Sequence, residues 1–250
     1  RLRDDDLIDL EQRRQRLSRH RARRRVFHAV DDIRTTNPAS NETLFRRIAT
    51  ELVRNRYDLK QLMRTILLSE TYQRSHTVLA QNEADQRFHA RYQPRRLKAE
   101  VLLDALSQVT GVPTPFKDQP AGTRALQLPD ASVASYFLDT FGRPERILTC
   151  TCERSDEPSM TQVLHLTNGK TIQEKLEAKE GRVQTFIDSN TPDDQIIDTV
   201  FLSALSRRPN ASEKQRLLSI LTETPAEDRR TAIEDLFWSV LTSREFLFQH

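Results

Sequence analysis

Two cysteines one residue apart, Cys150 and Cys152, are the side chains of this 250-residue chain best suited to metal or redox chemistry. Side chains alternate along extended backbone, so a Cys-x-Cys pair presents both sulfurs to one side. Two thiolates so placed suit a soft metal such as zinc. A closed zinc site needs two more donors. His165 follows Cys152 by thirteen residues, and Glu153, Asp156 and Glu157 are nearer. His28 and His89 are further candidates. The chain has only these two cysteines, so a four-cysteine iron–sulfur cluster is excluded within one chain. It has no C-x-x-C-H, so no covalent c-type haem is expected. Beside the metal reading stand a structural role and a redox role for the pair. A disulfide across one intervening residue is strained and easily reduced.

The same segment is dense in Arg and Glu. Arg143, Arg146 and Arg154 lie among Glu145, Glu153 and Glu157. One reading is an ion-pair network that locks an irregular loop onto the helices, joined by Arg95, Arg96 and Glu100. The other is an anion site, with Arg143 and Arg154 beside the open N–H groups of a helix start at 157–160. A sulfated or carboxylated glycan suits such a site. On a helical wheel Met160, Val163, Leu164 and Thr167 share one face, while Thr161, Gln162 and His165 fall opposite. Gln162 and His165 are therefore candidates for the polar lining of a pocket, with Asn168 at the helix end.

The elements that must position these residues are helical. Ser40 or Asn41 can cap a helix carrying Leu44, Phe45, Ile48, Leu52 and Val53. Asp58 caps a second, with Leu59, Leu62, Met63, Ile66 and Leu67. The short link 55–57 predicts a helical hairpin. Pro94 suits the first turn of a third helix, which carries Leu97, Val101, Leu102, Leu106 and Val109 and stops at Gly111. Residues 112–129 hold four prolines and read as a long irregular loop, a kind that is often functional or mobile. Asp130 can cap a short helix through Tyr136, Phe137 and Phe141. Helices are predicted at 157–167, with Pro158 in the first turn, and at 171–179. Three more follow: one from a capping-box-like start at 191–194, one opening at 209–213, and one over about 226–241. Strand signals are nearly absent. The fold class is all-α, an irregular multi-helix domain with long loops.

Charge divides the chain. Residues 1–25 hold ten arginines against five acids, so the basic excess belongs to this N-terminal arm and the rest is slightly acidic. No aromatic side chain interleaves with those arginines before Phe27, so a base-stacking platform is not indicated and nucleic acid is not expected as a partner. No apolar run is long enough for a transmembrane helix, and the first ten residues lack the apolar stretch of a signal peptide. The arm is separated from a helical domain at 26–250, whose C-terminal helical subregion is 191–250. There is no G-x-S-x-G, Walker loop, dinucleotide glycine fingerprint or H-E-x-x-H.

Several motifs occur in a fixed order: DDIRTTNPASN (31–41), TYQRS (71–75), PRRLKAE (94–100), FGRPER (141–146), CTCERSDEPSMTQVLHLTNG (150–169), SRRP (206–209) and SREFLFQH (243–250). This set resembles an uncharacterised C-terminal domain of large planctomycete-type bacterial proteins. Its members often follow another domain of unknown function, and some are linked to cytochrome-c-like haem domains. The resemblance spans about 26–250. It implies an all-helical accessory domain, exported in full-length relatives, and no established reaction. Such proteins carry more domain sequence before the DDIR-like element, where this chain has its Arg-rich arm, so a truncated member is expected.

Two functions follow as expectations. The first is a helical accessory or interaction domain of a larger bacterial envelope protein, docking a protein partner or a preceding neighbour domain. The alternative is a metal- or anion-dependent enzyme domain built on 141–169, with Cys150, Cys152 and His165 as candidate zinc ligands.

Overall fold

The computed structural model describes residues 39, 41–84, 89–145 and 159–249. Cys150, Cys152, Arg154 and Glu157 lie outside the described residues, as do His28, Arg146, Glu153, Asp156 and the N-terminal arm. The chain divides into two compact units, with the boundary between Pro94 and Arg95.

The first unit contains the expected helical hairpin. Helix α1 (Glu42–Arg54) is capped by Asn41, whose side chain accepts from the Leu44 amide at 3.0 Å. Helix α2 (Leu59–Leu67) is capped the same way by Asp58, which accepts from the Gln61 amide at 3.0 Å. Each cap satisfies an amide with no partner inside its helix. The reversal between them places Arg56 and Tyr57 at φ 52° and 61°, and the Tyr57 amide donates back to the Leu52 carbonyl at 2.8 Å. Neither helix contains a buried residue. Further on, Arg74 donates to the carbonyl of His89 at 2.8 Å.

The second unit holds the core. Arg95 and Arg96 form a two-residue strand β1, antiparallel to β2 (Phe248–Gln249) near the C-terminus, with Arg96 opposite Phe248. The Leu97 amide extends the pairing to the Leu247 carbonyl at 3.0 Å. Helix α3 (Ala99–Thr110) therefore starts later than Pro94 suggests, because the backbone of 95–97 bonds to the far end of the chain. It ends at Gly111 with φ 75°, a left-handed cap that favours glycine.

Helix α3 is the axis of the core. Leu102, Leu103, Leu106 and Val109 are buried against α4 (Tyr136–Thr140), α6 (Lys170–Glu177), α7 (Arg182–Asp188) and α8 (Asp193–Leu205). Helix α10 (Arg229–Leu241) adds Ile233, Leu236, Phe237 and Leu241, and packs on α8 and α9 (Ala211–Glu223). The short α11 (Arg244–Leu247) returns the chain to β2. Among the described residues the fold is all-α apart from that one two-residue pairing.

Several local expectations are corrected. Asp130 makes a turn to the Ser132 amide at 2.8 Å, and Ser135 caps α4 instead. Pro192 occupies the N-cap of α8 and offers no side-chain acceptor, so the capping box suggested at 191–194 does not form. Asn210 and Glu213 do form one at the start of α9. Helix α7 appears where no sequence signal predicts one. Helix α5 (Met160–Asn168) is turned over: Met160 is 73% exposed, Val163 and Leu164 are exposed, and Gln162 is only 7% exposed. The apolar face that the wheel defines faces outward.

Candidate functional site

The buried polar face of α5 meets β1 and the end of α4. Ser159 and Gln162 form a capping box: Ser159 Oγ accepts from the Gln162 amide at 3.3 Å, and Gln162 Oε1 accepts from the Ser159 amide at 3.2 Å. The same Oε1 accepts from Nη1 of Arg96. The Gln162 side-chain amide donates to the Thr140 carbonyl at 2.9 Å. Nη2 of Arg96 donates to the Phe141 carbonyl at 3.3 Å, and its guanidinium lies 5.9 Å from the Phe141 ring centroid. A buried primary amide is thus used as acceptor twice and as donor once, which removes most of the cost of taking it from water.

His165 lies one turn further along α5. Its Nε2 is 3.0 Å from Thr171 Oγ1, and the rings of Tyr136, Phe137 and Phe141 lie 5.4, 5.5 and 5.9 Å from its own. Phe137 and Phe141 stack on each other at 4.3 Å. Burial in this aromatic box holds the His165 pKa below its ordinary value, because the charged form loses its water. The bend from α5 into α6 occurs at Gly169. A β-carbon there would sit 2.1 Å from the His165 carbonyl oxygen. Glycine is required for space at this corner.

The remaining predicted residues that the structure describes are dispersed. Arg143 is 7% exposed at its side chain; it donates to the Val133 carbonyl at 2.8 Å and to Asp139 at 2.7 Å. Arg95 is exposed on β1, and Asn168 is exposed at the end of α5. The structure therefore joins Arg96 to Gln162 and places His165 beside them, while Arg143 serves the α4 loop. Among the described residues no group of three or more His, Cys, Asp or Glu side chains is placed to hold a metal ion.

Two clusters escape the sequence reading. Arg207 makes two-pronged contacts with both Glu213 and Glu245, at 2.6–2.9 Å, and its guanidinium lies 5.3 Å from the Phe201 ring. These bonds raise the Arg207 pKa and lower that of Glu213. The cluster ties the SRRP and SREF motifs together, but nothing in either motif names its partner. Lys175 is 6% exposed. Its signal was available: it shares a stripe with Ile172 and Leu176, both buried, so a cation stands on the core face of α6.

These features define a helical second unit, cross-tied by a partly buried Arg–Gln–aromatic junction between β1, α4 and α5. The chain belongs to the PSD1 family, described as "Protein of unknown function (DUF1553)", which matches residues 22–221. No curated protein and no solved structure matches it. Among the described residues no helix is long and apolar enough to cross a membrane.

Proposed function

We propose that this chain is a helical interaction domain of a larger bacterial envelope protein, and that the α1–α2 hairpin is its docking element. One observation carries the reading: two capped, strongly amphipathic helices hold no buried residue. Leu59 is 62% and Met63 59% exposed, and Leu44, Val53, Ile66 and Leu67 are exposed as well. An apolar stripe of this extent left in water marks a surface meant to be covered. The hairpin's polar positions are mainly basic, with Arg46, Arg47, Arg54, Arg56, Lys60 and Arg64 against Glu42, Glu51 and Asp58. The partner surface it fits is an apolar groove with an acidic rim.

The occupied donors of Arg96 and Arg143 support a structural network over an anion site at these two residues. The alternative enzyme reading rests on Cys150 and Cys152. Metal content of the purified chain, against a Cys150→Ser/Cys152→Ser control, decides it.

Amide exchange of residues 42–67, measured in this chain and in the full-length protein that contains it, tests the docking reading. Exchange at least tenfold slower in the full-length protein, restored by Leu59→Asp/Met63→Asp, is the expected result. Equal exchange in both sinks it.

A further inference from the structure

A cleft of about 330 Å³ opens beside α3, lined by Asp104, Ser107 and Gln108 on the helix and by Thr114, Phe116 and Arg124 of the following loop. This is the volume of a small-molecule site. The loop is the proline-rich stretch 112–129. Behind Ser107 stands the buried Lys175, whose Nζ donates to the Val112 carbonyl at 2.6 Å and to Ser107 Oγ at 3.1 Å. Ser107 Oγ also donates to the Leu103 carbonyl at 2.9 Å and lies 3.1 Å from Thr114 Oγ1. Its hydroxyl is thus fixed at the wall of an open cleft, in contact with an amine withdrawn from water.

We propose that this cleft is an acyl-transfer site for small esters, in which Ser107 is the nucleophile and Lys175 its base. The inference goes beyond the docking reading and uses a different part of the molecule. Ser107, its hydroxyl turned from the Leu103 carbonyl toward Nζ, transfers its proton to the neutral amine of Lys175 as Oγ bonds to the ester carbonyl carbon. The leaving alcohol departs with the electron pair of the C–O bond and takes that proton back from Lys175. Water, deprotonated by the same amine, then releases the acid and restores Ser107. Arg124 is the cationic side chain among the lining residues and faces the charge that grows on the substrate oxygen, while Phe116 supplies an apolar wall for the acyl group.

A lysine base must be neutral to take a proton, and burial brings the neutral form into reach from about pH 8 upward. Desolvation lowers the Lys175 pKa to about 8, opposed by the charge of Asp104. Asp104 is itself held by the amides of Ala125 and Leu126 and by Arg124. Other titratable or charged groups on elements packed against α6 include His165 of α5, which meets Thr171, Arg182 of α7, bonded to the Gln108 carbonyl, and Arg230 of α10, bonded to the carbonyls of Leu176 and Glu177.

The test is labelling with an ethyl fluorophosphonate probe, in which Oγ displaces fluoride from phosphorus and Lys175 takes the proton. The modified residue is located by peptide mass spectrometry. Wild type is expected to label at Ser107, about tenfold faster per pH unit up to pH 8 and evenly above it. Ser107→Ala abolishes the label, and Lys175→Met slows it at least a hundredfold with its circular dichroism unchanged. No label on wild type at pH 9, a label on another residue, or a rate at Ser107 that ignores pH overturns the proposal. The last of these holds even if Lys175→Met fails to fold.

Discussion

Arg96 and Gln162, sixty-six positions apart, share one partly buried hydrogen bond. The glutamine that receives the guanidinium also caps its own helix and holds the Thr140 carbonyl. One side chain thereby fixes where α5 starts, where α4 ends and where β1 lies.

Gln162→Leu should accordingly cost about 2–3 kcal/mol. It breaks the capping box and takes one acceptor from a partly buried guanidinium. Gln162→Glu keeps the acceptor and should retain most of the stability. Urea unfolding of both variants measures this, and a Leu variant within about 0.5 kcal/mol of wild type would remove the junction from the account.

Gly169→Ala tests the corner between α5 and α6. The backbone there is at φ −78° and ψ 145°, which any residue adopts, so conformation is not the obstacle. Space is: the new methyl meets the His165 carbonyl and lies 2.9 Å from the ring carbon Cγ. A loss of about 1–3 kcal/mol is expected as the turn is forced apart. Thermal unfolding reports the loss, and no change in Tm rejects the crowding argument.

His165 gives the fold an acid-side weakness. Its folded pKa is lowered by burial, so the unfolded chain binds a proton that the folded chain refuses. This contribution is fully present above the ordinary histidine pKa of about 6.5 and is lost as pH falls through the lower folded value. His165→Gln should flatten the fall in Tm between pH 7 and pH 5. If the two proteins lose stability in parallel over that range, the aromatic box does not exclude the charge.

Lys175 does the same on the basic side. Its folded pKa of about 8 lies below the ordinary 10.5. Below pH 8 the buried ammonium weakens the fold, and the penalty is relieved as pH rises from 8 to 10.5. Relative to Lys175→Met, wild type should gain up to about 3 kcal/mol over that window, from 1.36 kcal/mol per pKa unit. Parallel stability curves would mean that the amine is hydrated in the folded state.

How much of this was legible in the residues varies by element. Asn41 and Asp58 name their own helix starts, because a cap acts over three residues and needs nothing distant. Gly111 names its helix stop for the same local reason. The start of α3 was not legible, since Pro94 allows a helix there and only the pairing of Arg95 and Arg96 with residues 248–249 forbids it.

The amino-acid sequence alone determined the helical class, the hairpin at 42–67, the separation of charge between the arm and the rest, and the concentration of Arg, Glu and Cys in one segment. Tertiary structure alone decided which face of α5 is buried. Met160, Val163 and Leu164 form the better apolar stripe, yet Gln162 went inward, because Arg96 and the Thr140 carbonyl stand there to bond its amide. It also brought Ser107, on α3, beside Lys175, sixty-eight residues later. Helix periodicity reports what a side chain prefers, whereas burial of a polar group depends on a partner that only the folded chain brings within reach.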